Sequence, residues 1–90
     1  MARVEFTALL KKFFPDLKSV ELEAADIKEL LSKLDGVYPG ISGYISNEQG
    51  SLRPHVNIFI NGGMLQDRQN LNQTLQPHDT VNIIQALSGG

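Results

Sequence analysis

Alternating apolar and polar side chains near the start of the chain predict two β-strands. Residues 3–7 alternate with Val4 and Phe6 on one face, and residues 19–23 alternate in the same way. Between them, residues 8–14 fit a short helix that a proline ends, because proline lacks the backbone N–H that a helix interior needs. The start of the chain therefore predicts a strand, a short helix and a second strand.

Apolar residues spaced three and four positions apart predict one main helix. The members of this stripe are Ile27, Leu30, Leu31 and Leu34. Asp26 is suited to cap the helix, Glu29 completes a capping-box arrangement, and Gly36 is a suitable end. Asp26 and Glu29 could instead form a catalytic carboxylate pair, but capping already explains both residues.

Shorter strands separated by turns are predicted for the second half of the chain. Glycines and prolines interrupt residues 37–54, which indicates one short helical turn and a surface loop. Residues 55–61 are rich in strand formers and end in an Asn-Gly-Gly turn signal. A short strand is predicted around Met64 and Leu65, and residues 81–87 form the last strand. The order ββαβββ predicts an α+β protein with the β-grasp, or ubiquitin-like, fold.

The aromatic residues are expected to pack rather than to bind a ligand. Phe13 and Phe14 are assigned to the core beside the first strand, and Tyr38 and Tyr44 to the edge of the core. Phe59 is different, because alternation places it on the wetter face of its strand.

Length, charge and composition exclude several classes of function. Ninety residues suit one domain, and a charge of −2 offers no strong attraction for nucleic acid or an anionic membrane. The absence of cysteine excludes disulfides and thiolate metal sites, and His55 and His78 are assigned to exposed loops, so no metal site is expected. No apolar run approaches the length of a membrane span and no signal segment begins the chain, so a cytoplasmic location is expected.

The last residues carry the candidate chemistry. We expect a β-grasp domain over residues 1–86 and a flexible tail over residues 87–90, which ends in two glycines. Glycine has no Cβ, so such an end can enter a channel too narrow for side chains. The carboxylate of Gly90 has an ordinary pKa of about 3.5 and is a poor electrophile when ionised. An external, nucleotide-dependent enzyme must therefore activate it.

Four segments together resemble the MoaD/ThiS family of sulfur carriers. They are Tyr38–Ile41, Leu52–Asn61, Asp79–Ile84 and the closing Gly89-Gly90. Among those carriers, the middle segment is most similar to the ones associated with cysteine synthesis. The resemblance covers nearly the whole chain and supports the β-grasp expectation.

The resemblance implies a cycle of activation and sulfur transfer. An E1-like adenylating enzyme uses ATP to adenylate Gly90, and sulfide or a persulfide then displaces AMP to leave a thiocarboxylate. Leu87, Ser88 and Gly89 thread the tail into that enzyme. The chain is then a protein substrate with no catalytic residue and no bound cofactor. A biosynthetic enzyme accepts the sulfur, with cysteine or a related amino acid favoured and molybdopterin, thiamine thiazole or thiolated tRNA still open.

The chain departs from the family pattern at two places before the tail. His78-Asp79 stands where relatives commonly have Gly-Asp, and Gln85 stands where a proline often precedes the tail. Both changes can alter which partner enzyme is recognised. A C-terminal-processing metalloprotease is a further partner if the gene encodes residues beyond Gly90.

A docking patch for partner enzymes is expected beside the tail. Its candidate residues are Phe59, Ile84 and Leu87, which are apolar and predicted to point outward. The alternative is that a loop or short helix covers them.

Two other functions stay open. In the first, Gly90 is joined to lysines of other proteins, as in ubiquitin, through the same adenylation. In the second, the domain binds partners non-covalently and the tail is idle.

Overall fold

Within residues 1–85, which the computed structural model describes, five strands form one mixed sheet. The strands are β1 (Ala2–Phe6), β2 (Val20–Leu22), β3 (Val56–Ile60), β4 (Gly63–Met64) and β5 (Thr80–Gln85). Their order across the sheet is β2-β1-β5-β3-β4. β5 runs parallel to β1 and antiparallel to β3, so the last strand lies in the centre of the sheet.

Three helices accompany this sheet in the described part of the chain. They are α1 (Ala8–Lys11), α2 (Ile27–Val37) and α3 (Ile41–Ile45). Within residues 1–85, none of the helices has the length and apolar character that crossing a membrane requires.

The core lies between α2 and one face of the sheet. The four residues of the predicted helical stripe are all buried. They meet strand residues that are at most 1% exposed, namely Val4, Val56, Ile58, Val81 and Ile83. Burying each such side chain contributes about 1.5–3 kcal/mol. The predicted β-grasp fold and the assignment of strand faces are confirmed.

The start of α2 is capped as the sequence predicts. The Asp26 carboxylate accepts a hydrogen bond from the Glu29 backbone N–H at 2.8 Å. The Glu29 carboxylate in turn accepts one from the Ala25 N–H at 2.6 Å. Each carboxylate satisfies a backbone donor near the helix start. Capping therefore accounts for the pair that could have been taken as catalytic.

The predicted end of α2 at Gly36 is wrong. The helix continues to Val37, and the Tyr38 backbone N–H donates to the Leu34 carbonyl at 2.8 Å. Tyr38 then adopts φ −125° and ψ 86°, outside the helical region. Since a residue that precedes proline is disfavoured from helical angles, Pro39 is what ends the helix.

A tight turn joins β3 to β4. Asn61 and Gly62 have φ of 51° and 86°, and positive φ at both central positions is what a type I′ turn requires. The pairing of Ile60 with Gly63 leaves only these two residues in the loop. The predicted Asn-Gly turn is confirmed, and the strand that follows it spans Gly63–Met64.

The turn before β5 holds His78 in a backbone conformation that glycine adopts most readily. His78 has a φ of 73°, in the left-handed region, which costs a residue other than glycine about 1–2 kcal/mol. Its backbone N–H donates to the Met1 carbonyl at 3.1 Å. The Asp79 carboxylate accepts hydrogen bonds from the Gln76 N–H and the Asn61 amide, both at 2.8 Å. The turn therefore keeps its shape with histidine, at some cost in strain.

Asp35 ties the end of α2 to the start of α3. Its Oδ1 accepts hydrogen bonds from the Ser42 hydroxyl at 2.8 Å and from the backbone N–H groups of Ser42 and Gly40, each at 3.1 Å. These bonds, the Ser42 hydroxyl foremost, lower the pKa of Asp35 below its ordinary value. The folded state therefore favours the ionised carboxylate.

This arrangement predicts a specific pH dependence for Asp35→Asn. The native contribution is complete above the ordinary pKa of an aspartate and is lost as the pH falls through the lowered value. We expect the variant to have a lower Tm at neutral pH, with a difference from the wild type that shrinks as the solution is made strongly acidic. Thermal unfolding from pH 7 to pH 2 measures it. Asp16→Asn, at an exposed carboxylate, is the control, and a constant difference across the range would contradict the prediction.

Candidate functional site

Gln85, the last described residue, is held on both sides at the end of β5. Gln85 pairs with Val56 of β3 on one side. On the other side, its backbone N–H donates to the Thr7 hydroxyl at 3.4 Å. The last described residue is thus held by both neighbours of the central strand. The predicted tail residues, namely Leu87, Ser88, Gly89 and Gly90, lie outside the described residues.

Phe59 and Ile84 lie on the face of the sheet opposite the core. Phe59 pairs with Asn82 of β5, and Ile84 pairs with Asn57 of β3. The two are therefore diagonal neighbours, a separation that an aromatic side chain can span. Both are half-buried, which agrees with the prediction that Phe59 occupies the wetter face. The third predicted member, Leu87, falls outside the described residues.

One loop side chain covers part of this outer face. The Arg68 guanidinium donates to the Asn57 side-chain oxygen at 2.9 Å and to the Arg53 carbonyl at 2.7 Å. At the other side of Phe59, its partner on β4, Met64, is 57% exposed. Arg68 therefore covers the outer face beside Asn57, whereas Met64 beside Phe59 is open to solvent.

A groove opens at the end of β5, on the side of the helices. Its volume is about 530 Å³, and its lining consists of Phe13, Gly40, Gly43, Tyr44, Arg53, His55 and Gln85. Gln85, the last described residue, is part of this lining, so the groove lies beside the end of the described part of β5. Its lining residues are spread from Phe13 to Gln85, so no local sequence pattern indicates the groove.

The assignment of Phe13 to the core is wrong. The predicted helix over residues 8–14 ends early at Lys11, and the Phe13 and Phe14 N–H groups both donate to the Leu10 carbonyl at 3.1 Å. This turn leaves Phe13 51% exposed, whereas Phe14 packs against the core. No local signal separates the two aromatic residues, because their environments depend on which distant segments pack beside them.

The tyrosines differ in the same way. Tyr38 packs against the core, with its ring centroid 6.4 Å from that of Phe6. Tyr44 is 39% exposed and stacks on Phe13 with ring centroids 4.9 Å apart. The expected position at the edge of the core holds for both, but Tyr44 also presents a surface to solvent.

The two histidines lie in different parts of the fold. His55 is half-buried in the groove lining, and His78 is exposed in the turn before β5. Among residues 1–85, no three His, Cys, Asp or Glu side chains are grouped so that they could hold a metal ion.

Comparison with known proteins assigns the chain to a family. The ThiS family profile matches residues 4–90. The chain belongs to the ThiS family. This match covers almost the whole chain, so it confirms the resemblance drawn from the four sequence segments.

Individual relatives of this ThiS family chain include a protein named as a modifier and two solved structures. Small archaeal modifier protein 3 of Haloferax volcanii is 29% identical over 66 residues, which are 73% of this chain and 71% of the relative. CysO of Mycobacterium tuberculosis is 25% identical with a TM-score of 0.83, over 97% of this chain and 100% of CysO. A chain in the structure of the BexX/CysO complex of Amycolatopsis orientalis is 23% identical with a TM-score of 0.86. That match covers 100% of this chain and 100% of the matched chain. At that identity, the last match shows the fold alone.

These findings place the ThiS family chain among the ubiquitin-like sulfur carriers and modifiers. The matched relatives are themselves small domains of the same length class, since the two solved chains are covered completely.

Proposed function

We propose that this protein is a sulfur carrier whose reactive group is the carboxylate of Gly90. The observation that carries the proposal is the position of β5. This strand is central, is held by β1 and β3, and ends at Gln85, five residues before Gly90. A strand anchored on both sides gives the residues that follow it a defined starting point, which an enzyme that must receive the tail can use.

The proposed activation follows from the poor reactivity of a carboxylate. An oxygen of the Gly90 carboxylate attacks the α-phosphorus of ATP and pyrophosphate leaves, which forms an acyl adenylate in the active site of an E1-like enzyme. Sulfide, or the terminal sulfur of a persulfide, then attacks the acyl carbon, and AMP departs with the electron pair of the broken C–O bond. Where a persulfide attacks, a thiol then reduces the S–S bond of the resulting acyl disulfide and is itself converted to a disulfide. The product is a thiocarboxylate at Gly90. The carrier supplies the acyl group and no catalytic residue.

The partners follow from these steps. The E1-like adenylating enzyme consumes ATP, so the carrier needs no bound cofactor of its own. Leu87, Ser88 and Gly89 are proposed to thread Gly90 into that enzyme, since Ser88 and Gly89 are small enough to fit a narrow channel. A second, biosynthetic enzyme accepts the sulfur, with cysteine or a related amino acid as the favoured product. If the gene extends beyond Gly90, a metalloprotease exposes the glycine. The proposed location is the cytoplasm.

Intact mass of the protein from its native host tests the proposal. Replacing one carboxylate oxygen of the activated acyl group with sulfur adds about 16 Da. Fragmentation of the C-terminal peptide should place this gain on Gly90. The protein is isolated under non-reducing conditions that retain sulfide. Incubation of the purified carrier with the adenylating enzyme, ATP and sulfide should produce the same gain, and its absence in both preparations would contradict the proposal.

Conjugation to lysines is the second candidate function. It is favoured by the match to a protein named small archaeal modifier protein 3, at 29% identity. Both candidates use the same adenylated Gly90, so the difference lies in the nucleophile that follows. Isopeptide-linked peptides that join Gly90 to lysine in larger species would place the modifier function first.

Substitution Ile84→Ala tests the outer-face docking patch. We expect transfer to a partner enzyme to weaken by about 5- to 30-fold, the effect of losing an apolar contact worth about 1–2 kcal/mol. Ile84 is half-buried on the face away from the core, so the fold should persist. The measurement is the concentration of carrier that gives half-maximal transfer.

The matched control for this test is Val37→Ala. Val37 is 47% exposed on α2, which packs on the opposite face of the sheet. This control should leave transfer unchanged. A large fall in the Tm of Ile84→Ala would show that Ile84 acts in folding and would remove the support for docking.

A further inference from the structure

The groove at the end of β5 has the size of a binding site. Its volume of about 530 Å³ lies within the range of about 300–1,000 Å³ typical of pockets that hold small ligands or side chains. It lies on the helix side of the sheet, because its lining comes from the turn after α1, from α3 and from the residues before β3. It is therefore separate from the outer-face patch of Phe59 and Ile84.

Exposed aromatic rings form one wall of the groove. Phe13 is 51% exposed and Tyr44 is 39% exposed, and their rings stack with centroids 4.9 Å apart. Phe14 packs against Tyr44 in a T-shaped arrangement, with ring centroids 5.2 Å apart. Tyrosine and other aromatic residues are enriched at the centres of protein interfaces. This pair therefore offers apolar surface on a fixed support.

A cationic side chain, Arg53, also lines the groove. The Nε of Arg53 donates to the Gly43 carbonyl at 2.7 Å, which orients the guanidinium beside α3. That group carries five N–H donors, and this bond uses one of them. His55 lies in the same lining, and the described lining residues include no carboxylate. Since the chain as a whole has a charge of −2, this groove is a local site suited to an acidic group.

The position of the groove specifies which protein meets it. Gln85 is the last residue of β5 and lines the groove. An enzyme that takes the following residues into its active site must therefore contact the surface around the groove. We propose that the groove is a docking site for the E1-like adenylating enzyme. The occupant is a segment of that enzyme whose carboxylate pairs with Arg53 and whose apolar side chain packs on Phe13 and Tyr44. This inference rests on the proposed function and names the second surface through which the partner is recognised.

Charge reversal measures the contribution of Arg53. The assay is ATP–pyrophosphate exchange by the adenylating enzyme encoded in the same genome, with the carrier varied. For Arg53→Glu we expect the KM for the carrier to rise at least tenfold while kcat changes less than twofold, because an interfacial charge governs encounter and affinity rather than the chemical step. The rise in KM should shrink as salt is added.

Arg3→Glu is the matched control. Arg3 pairs with Thr80 at the opposite end of β5, and its side chain is 54% exposed. This variant makes the same change in net charge far from the groove, and its KM should stay within twofold of the wild-type value.

A second variant distinguishes loss of the Arg53 charge from a change in the structure around Gly43. Arg53→Glu removes the hydrogen bond to Gly43, whereas Phe13→Ser leaves that bond in place and removes one of the two rings. Phe13→Ser should also raise KM several-fold at constant kcat. If Arg53→Glu fails to fold, as judged by circular dichroism, Phe13→Ser decides the question.

The outcomes separate the two proposals. No exchange with the wild-type carrier overturns the proposed function and the docking site with it. Normal wild-type exchange with an unchanged KM in the folded groove variants overturns the docking site alone. A change in the NMR shift of the Arg53 Nε–H when the C-terminal carboxylate of the isolated, full-length protein is converted to an amide would mean that the chain's own terminal carboxylate occupies the groove, and would also overturn docking by the enzyme.

Discussion

Deletion of Gly90 is expected to reduce adenylation of this protein at least 100-fold while leaving its fold intact. The shortened chain still ends in a glycine carboxylate, at Gly89, but that carboxylate lies one residue closer to Gln85. A residue spans up to about 3.3–3.6 Å of extended chain. Misplacing a reacting group by 1 Å can already cost about 100-fold in rate. ATP–pyrophosphate exchange with the adenylating enzyme measures the loss.

The control for this deletion keeps the length of the tail. Ser88→Gly changes a side chain without moving the Gly90 carboxylate, and we expect its effect to be less than tenfold. The Tm of both variants should equal that of the wild type, because the buried cluster described within residues 1–85 is already complete as a packed core from Ala2 to Ile83. Unchanged cellular activity after removal of Gly89 and Gly90 would instead support the third hypothesis, a non-covalent β-grasp interaction domain with an idle tail.

Substitution Leu34→Ala is expected to lower the free energy of unfolding by about 2–5 kcal/mol. Leu34 is fully buried as the last member of the α2 stripe, so truncation removes apolar contacts and leaves a cavity. A domain of this size has a total stability of about 5–15 kcal/mol. Each kcal/mol corresponds to a fall in Tm of about 4–8 °C. Urea and thermal unfolding measure the two quantities independently.

Val37→Ala is the matched control on the same helix. Val37 is 47% exposed near the end of α2, and alanine has the higher helix propensity. We expect a change within about 0.5 kcal/mol, as is usual for surface substitutions. Equal destabilisation by both substitutions would contradict the packing of α2 on the sheet through its Leu34 face.

Much of the fold could be predicted because its signals are local. The α2 stripe repeats at helical spacing, and the side chains of Asp26 and Glu29 cap its first turn within a few residues of sequence. Asn61 and Gly62 form the only kind of turn in which both residues commonly have positive φ. Each of these features depends on residues close together in the chain, so a single sequence is enough to indicate them.

The sequence-based predictions were wrong where two local signals compete for one helix end, or where a contact with a distant segment determines burial. Gly36 and Pro39 both suit a helix end, and the steric effect of Pro39 on Tyr38 prevailed while Gly36 stayed helical. Phe13 and Phe14 are identical neighbours in sequence, yet Phe14 packs on the core and Phe13 faces solvent. Nothing in their own segment distinguishes them, because the deciding neighbours come from elsewhere in the chain.

The sequence by itself determined the β-grasp class, the two faces of β3 and β5, and Gly90 as the candidate reactive group. The spacing of hydrophobic residues and the chemistry of the backbone are properties of each short segment. These features can therefore be recognised from the sequence of that segment. Only the tertiary structure decided that Phe13 and Arg53, forty positions apart, share one groove at the end of β5. That juxtaposition depends on β5 pairing in parallel with β1 and in antiparallel with β3. Such long-range pairing is stabilised by the whole core and by no local segment.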